Sequence, residues 1–255
     1  MVADGRAGLV CVDLALVATA SLATTVGTLG AASPLPVGLV TEGPQVRTGL
    51  VAADVALETG DIVRLTPDKV LGNRGCLSVR PAALFSALRA GSRLGIDGGP
   101  LLRVGRIDGS TATTVVVEGG EVGSNRVVTV DPAPALPALT AKDVRALGLA
   151  GGLGIRHVVL SFASSSADID WLRRLVPGAE VIARIESRAG VWNRDEIIEA
   201  ADAVALDPPS LLRELSVEQV PLYQDAIVRQ AAREGIPLYR PASGAGLRSA
   251  PLVLQ

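Results

Sequence analysis

The sequence predicts an α/β protein interrupted by a small β domain. Three observations predict it: short apolar runs recur along the chain, helical patterns separate the later runs, and a Gly-rich stretch of alternating residues divides the early runs from the late ones. The runs fall at residues 8–14, 37–40, 157–162, 180–185, 203–206, 237–240 and 251–254. Short, mainly apolar runs of this length suit parallel strands covered on both faces. A helix through the twenties follows the first run, and further helical patterns cover 140–149, 166–175, 195–201 and 216–234. Thr140 stands at an N-cap position with Asp143 in the first turn, and the next helix opens similarly with Asp168 and Asp170. Strands alternating with helices build βα units.

Between about residues 50 and 130 the pattern changes. Alternating runs at 61–65, 101–107 and 113–118 are separated by "GIDGGP" (95–100) and "VEGGEVGS" (117–124), which are hairpin and loop signals. "DPAPALPALT" (131–140) reads as a proline-rich return linker. The expected organisation is therefore a first part at 1–49, an inserted β domain at 50–131 and the remainder of the α/β domain at 132–255.

Composition removes several function classes. The 255 residues are 48% hydrophobic but only 2% aromatic, so the core is built from Ala, Val, Leu and Ile. A net charge of -2 supplies no basic field, and no interleaved aromatics are available to stack bases, so no nucleic-acid partner is expected. Cys11 and Cys76 lie far apart and support neither a disulfide framework nor a cysteine zinc site. His157 is the single histidine, which removes a histidine metal cluster and the usual base of a Ser or Cys triad. The stretch between Asp13 and Glu42 has no charged side chain, but it is rich in Ala, Thr, Ser and Gly and follows an interrupting Asp13. It reads as a strand and a helix, with no membrane partner and a cytoplasmic location expected.

Five segments carry a resemblance. They are "PVGLVTEGPQVRTGL" (36–50), "GSRLGIDGGPLLRV" (91–104), "LPALTAKDVRALGLAGGLGIRHVVLSFA" (136–163), "VIARIESRAGVWNRDEIIEAADAV" (181–204) and "VEQVPLYQDAIVRQAAREGIPLY" (217–239). Their order and spacing resemble pyruvate kinase. The resemblance implies a TIM-type (β/α) barrel, incomplete or modified at its start and end, with the family's β domain inserted and its C-terminal regulatory domain absent.

The departures from the family carry the functional expectation. The resemblance puts the family's strand-end lysine at Arg184 and its metal-binding glutamate at Glu186. The second metal-binding aspartate falls at Ser210, and the preceding arginine and glycine fall at Pro208 and Pro209, which lack backbone donors. Asp207 is the candidate displaced ligand. The potassium-binding aspartate falls at Val40, the next lysine at Glu42, and the threonine beside the reacting carbon at Ala242. The arginine–asparagine–serine motif has no counterpart in the first thirty-five residues, and the β-domain acid pair is reduced to Asp97. Phosphoryl transfer depends on positioned charge and metal, so these changes predict a chain that is not an active pyruvate kinase.

Three readings follow. The leading one is a cofactor-independent cyclase of the pericyclic type acting on a largely apolar, polyketide-like small molecule in bacterial secondary metabolism. Holding reacting carbons together supplies an entropic acceleration without metal, base or nucleophile. Arg184 would be the catalytic donor, oriented by Glu186, and the substrate would be lined by Val40, Arg47, Trp192, Asp207, Tyr239, Arg240 and Ala242, with Pro208, Pro209 and Pro241 nearby. The second is a lyase or enolate-handling enzyme with Mg2+ on Glu186 and Asp207. The third is a non-catalytic scaffold, with a homodimer covering open strand edges. Structural roles compete at each position: Arg184 and Glu186 as an internal ion pair, Asp207 as a helix cap, Tyr239 as packing and Trp192 as a helix cover.

Overall fold

The structure is a computed structural model, and it describes residues 8–53, 55–240 and 252–254. The chain divides into two compact units, the first comprising Met1–Gly43 with Ala138–Gln255 and the second Pro44–Pro137.

The first unit opens with β1 (Leu9–Asp13), α1 (Leu22–Ala32) and β2 (Val37–Val40). The chain then runs through the second unit as β3 (Arg47–Thr48), β4 (Val55–Leu57), β5 (Ile62–Thr66), β6 (Cys76–Arg80), α2 (Leu84–Ala87), β7 (Arg93–Ile96), β8 (Leu101–Asp108), β9 (Thr111–Glu118), β10 (Gly120–Val122) and β11 (Val128–Asp131). It returns to the first unit with α3 (Ala141–Ala150), β12 (His157–Leu160), α4 (Ser166–Leu175), β13 (Glu180–Ile185), α5 (Arg188–Trp192) and α6 (Arg194–Ala200). The last elements are β14 (Ala203–Leu206), α7 (Pro208–Leu211), α8 (Gln219–Glu234), β15 (Leu238–Tyr239) and β16 (Leu252–Leu254).

The first unit is a half-barrel. Its seven-stranded sheet has the order β15-β14-β13-β12-β2-β1-β16. From β1 to β15 every neighbouring pair is parallel, so all these strands present their carboxyl ends on one side. The run at 251–254 differs from expectation: β16 pairs antiparallel with β1, Leu9 opposite Leu254. An apolar run carries no strand direction, which is decided by how the intervening chain returns. Among the described residues the sheet does not close on itself.

Alternation along these strands makes two apolar layers. One face packs Val12, Leu39, Val158, Leu160, Val181, Ala183, Ile185, Val204 and Leu206 against the helices. The opposite face gathers a smaller set: Leu9, Cys11, Val40, Val159, Ile182, Ala203 and Ala205, with Tyr239 against them. Local chemistry fixes the helix starts. Thr140 and Asp143 form a capping box at α3, and Ser165 and Asp168 form one at α4.

Asp143 has a second task. It is fully buried and accepts hydrogen bonds from the backbone of Glu42 (2.7 Å) and Gly43 (3.2 Å) as well as from Thr140 N (2.9 Å) and Oγ1 (2.8 Å). One carboxylate thus ties the segment where the chain leaves the first unit to the segment where it returns.

The second unit is a nearly closed barrel with the strand order β11-β7-β8-β9-β5-β6-β3 and a separate β10-β4 pair. An antiparallel bridge from Arg47 to Val127 brings the two ends of the sheet together, supported by Thr48 N to Arg126 O at 2.9 Å and Val128 N to Val46 O at 2.9 Å. Its core comes from strict alternation, as in β9, where Ala112, Thr114 and Val116 are buried. "GIDGGP" turns β7 into β8, with Gly98 at φ 66°, a left-handed conformation that glycine adopts without penalty.

Candidate functional site

Period two carries the inner apolar face into a polar rim at the carboxyl ends. Leu9 and Cys11 lead to Asp13 on β1, Val159 to Ser161 on β12, Ile182 to Arg184 and then Glu186 on β13, and Ala203 and Ala205 to Asp207 on β14. The register aligns Val40, Val159, Ile182 and Ala203 in one layer, and Arg184, Ala205 and Tyr239 in the layer above. Glu186 and Asp207 lie one further step towards the strand ends. This is where barrels of this architecture place their chemistry.

Arg184 and Glu186 are both buried, and Arg184 Nε lies 2.8 Å from Glu186 Oε2. The Nε–H is not aligned for a hydrogen bond, so the contact is foremost a charge–charge attraction. Glu186 Oε2 also accepts the Phe162 backbone N–H at 3.0 Å. Burial is the strongest influence on Glu186 and raises its pKa, Arg184 opposes this, and Asp207 reinforces it. Burial works against the charge of Arg184, but Glu186, Asp207 and Asp13 outweigh it and hold the guanidinium above its ordinary pKa.

The rim is tied together around this pair. Asp207 is buried, precedes α7 as its N-cap residue and accepts the Ser210 hydroxyl at 3.2 Å. Pro208 and Pro209 occupy the first positions of that helix, where a missing N–H costs little. Ser161 donates its hydroxyl to Thr41 O (2.7 Å) and its N–H to Thr41 Oγ1 (2.9 Å), joining the ends of β12 and β2. Phe162 has φ 55°, an uncommon conformation for a bulky residue, and it is this backbone that presents its N–H to Glu186.

The other expected site residues fall in different surroundings. Val40 is fully enclosed in the inner apolar cluster, and Tyr239 packs half-buried against it. Burial, then Glu180 and Cys11, raise the Tyr239 pKa. Trp192 ends α5 and is 64% exposed, with the Arg188 guanidinium carbon 5.9 Å from its ring centroid. Arg47 belongs to the second unit, where its Nη1 donates to Asn125 O at 2.8 Å. Arg240 is exposed, and Pro241 and Ala242 lie outside the described residues. Asp13 was not among the expected site residues, yet it acts electrostatically on Arg184. Its i, i+4 relation to Leu9 and Cys11 at i+2 would have placed it on the inner face.

The resemblance implies a metal ion held by carboxylates at this rim. Glu186 Oε2 is already engaged by Arg184 and Phe162, and Asp207 by Ser210. Among the described residues no three His, Cys, Asp or Glu side chains are grouped to hold a metal ion. Arg184 and Ser210 leave one oxygen on each of Glu186 and Asp207, so these two residues could hold a divalent ion only with further oxygens from substrate or water, where it would polarise a bound carbonyl.

A half-barrel with an inserted β unit and a charged rim at its strand ends defines a class of α/β barrel protein, and the comparisons specify which. The family described as "Pyruvate kinase, barrel domain" matches residues 20–240. The chain is 35% identical over 194 residues to pyruvate kinase of Aeropyrum pernix, covering 73% of this chain and 41% of that protein. It is 34% identical over 193 residues to pyruvate kinase of Mycobacterium tuberculosis (72% and 40%) and 32% identical over 190 residues to that of Corynebacterium glutamicum (72% and 40%). The chain belongs to the pyruvate kinase family. It spans about two fifths of the length of these curated relatives. Among the described residues no helix is long and apolar enough to cross a membrane.

Proposed function

We propose that this pyruvate kinase relative does not transfer phosphate between phosphoenolpyruvate and ADP, and that its strand-end rim binds a small molecule whose carbonyl or enolate oxygen is polarised by Arg184. The observation that supports this reading is the Arg184–Glu186 contact at 2.8 Å in a buried setting. In this family the corresponding strand end resembles a site of one lysine with a metal-binding glutamate. Here the larger, permanently charged guanidinium engages that glutamate directly, so it supplies positive charge without giving up a proton.

The reaction class that suits such a rim is a metal-free cyclisation of a largely apolar substrate. In a pericyclic closure π electrons become σ bonds within the substrate, so no proton, electron or leaving group passes to the protein. The protein would hold the reacting carbons together and donate a hydrogen bond to the activating carbonyl. The inner cluster of Cys11, Val40, Val159 and Ile182 supplies the apolar floor, and Glu186 restrains Arg184. The Cys11 thiol is pushed up to about 12, chiefly by burial, and stays protonated as part of that floor.

Two measurements test this reading. Incubation with phosphoenolpyruvate, ADP, Mg2+ and K+ should yield no pyruvate above a protein-free control, and turnover lost in Glu186→Gln would overturn the reading. Calorimetric titration with Mg2+, alone and with oxalate, should give no saturable heat. Saturable binding that disappears in Glu186→Gln would establish the metal-dependent lyase in its place.

A further inference from the structure

The Arg184 side chain is only 10% exposed, and its register with Ala205 and Tyr239 puts it on the inner face of the sheet near the strand ends. A buried guanidinium ordinarily spends most of its five donors on protein acceptors. Here Nε faces Glu186, and among the described residues neither terminal amine has a protein acceptor. The paired N–H groups of the planar fork thus have no acceptor among the described residues. A fork of this kind matches two oxygen acceptors side by side, a geometry that an ammonium group cannot reproduce.

Charge then decides between ligands of the same shape. Glu186 and Asp207 are both buried and both act on the one guanidinium. The charge of Arg184 is already matched from within the protein, so an incoming dianion gains little net attraction and meets two carboxylates at close range. A neutral ligand keeps the two hydrogen bonds and avoids the repulsion. We propose that the open fork of Arg184 selects a neutral dicarbonyl group, held through both oxygens, over the dianionic carboxylates that have the same spacing. The inference rests on the strand-end binding site proposed above and narrows its substrate class: the ligand presents two adjacent uncharged carbonyl oxygens, as a 1,3-diketone, β-ketoester or dicarboxamide does.

Malonate, malonamate and malonamide form a series of matched shape and falling charge, and their binding can be followed by protein-observed NMR at neutral pH without metal. Malonamide should produce saturable shifts at the backbone amides of Phe162 and Ser210, with malonate at least about tenfold weaker. Arg184→Lys should abolish malonamide binding. Asp207→Asn, which keeps the fork and removes one acid, should strengthen malonate about tenfold relative to malonamide. If malonate binds more tightly than malonamide to the unaltered chain, the charge selection is wrong and the strand-end site stands. If none of the three binds at these amides while the spectrum remains that of a folded protein, both the selection and the site reading fall.

Discussion

Two arginine–carboxylate pairs in this chain share the same closest distance and differ in nearly everything else. In the second unit Arg74 grips Asp61 with Nε at 2.8 Å and Nη2 at 2.9 Å, a complete bidentate fork at the surface, with Glu58 3.1 Å from the same guanidinium. In the first unit Arg184 meets Glu186 at 2.8 Å through Nε alone, in a buried setting. The exposed pair has the better geometry and the smaller consequence, because water screens it and solvates either partner left behind. The buried pair has the poorer geometry and a large desolvation cost, and its terminal donors have no acceptor among the described residues. A pair arranged for stability alone would reverse these features. The difference teaches that distance alone does not set what an ion pair contributes: burial and the number of donors engaged do.

The largest expected effect comes from breaking the buried pair. Arg184→Ala leaves Glu186 buried without its cation and should cost about 3–5 kcal/mol in denaturant unfolding. Replacing both partners with apolar residues, Arg184→Met with Glu186→Leu, should recover that loss or exceed the parent by about 1–4 kcal/mol, since no buried charge remains. A double variant as unstable as Arg184→Ala would show that the pair is a structural requirement and would remove the contrast with Arg74–Asp61.

The protonation of Glu186 gives a related expectation. Its pKa is raised in the folded state, chiefly by burial, so the folded chain holds this proton more tightly than the unfolded chain. That contribution is fully present below the ordinary carboxylate pKa and is lost as pH rises through the higher folded value. The stability of the unaltered chain relative to Glu186→Gln should therefore decline as pH increases above the ordinary carboxylate range. A flat difference between the two would mean that Glu186 is ionised throughout.

An intermediate effect is expected at Asp143, a carboxylate as buried as Glu186 but served by four donors. Asp143→Asn presents an amide to several of those N–H groups and should cost about 1–3 kcal/mol. Hydrogen exchange should accelerate at the Glu42 and Gly43 amides before it does in β2. The smallest effect belongs to Arg74→Ala, which should leave the unfolding midpoint unchanged within error. A clear loss there would mean that the exposed fork braces the β5–β6 region more than its solvation suggests.

The residues of the candidate rim were legible in the sequence only in part. Arg184, Glu186 and Asp207 were marked because their segment matches a family motif and because alternate residues of a buried strand share a face. Asp13 and Phe162 were not. Asp13 lies on a strand far from Arg184 in sequence, and its influence arises only when β1 and β13 curl into one half-barrel. The left-handed backbone of Phe162 has no marker in a sequence where Gly and Asn are the usual occupants of that conformation. The sequence puts Val40 at a strand end, and only the sheet register shows that it is fully buried in the inner apolar cluster.

The sequence by itself determined the alternation of strands and helices, the inserted β unit, the helix caps and membership of the pyruvate kinase family. These follow from local periodicity, capping chemistry and motifs, each readable within a short window. The tertiary structure alone decided that the last strand runs antiparallel against β1, that one carboxylate ties the two crossings between units, and that a buried guanidinium meets its carboxylate through Nε. Each of these is a relation between residues far apart in the chain, and burial, field and hydrogen-bond supply exist only once those residues have been brought together.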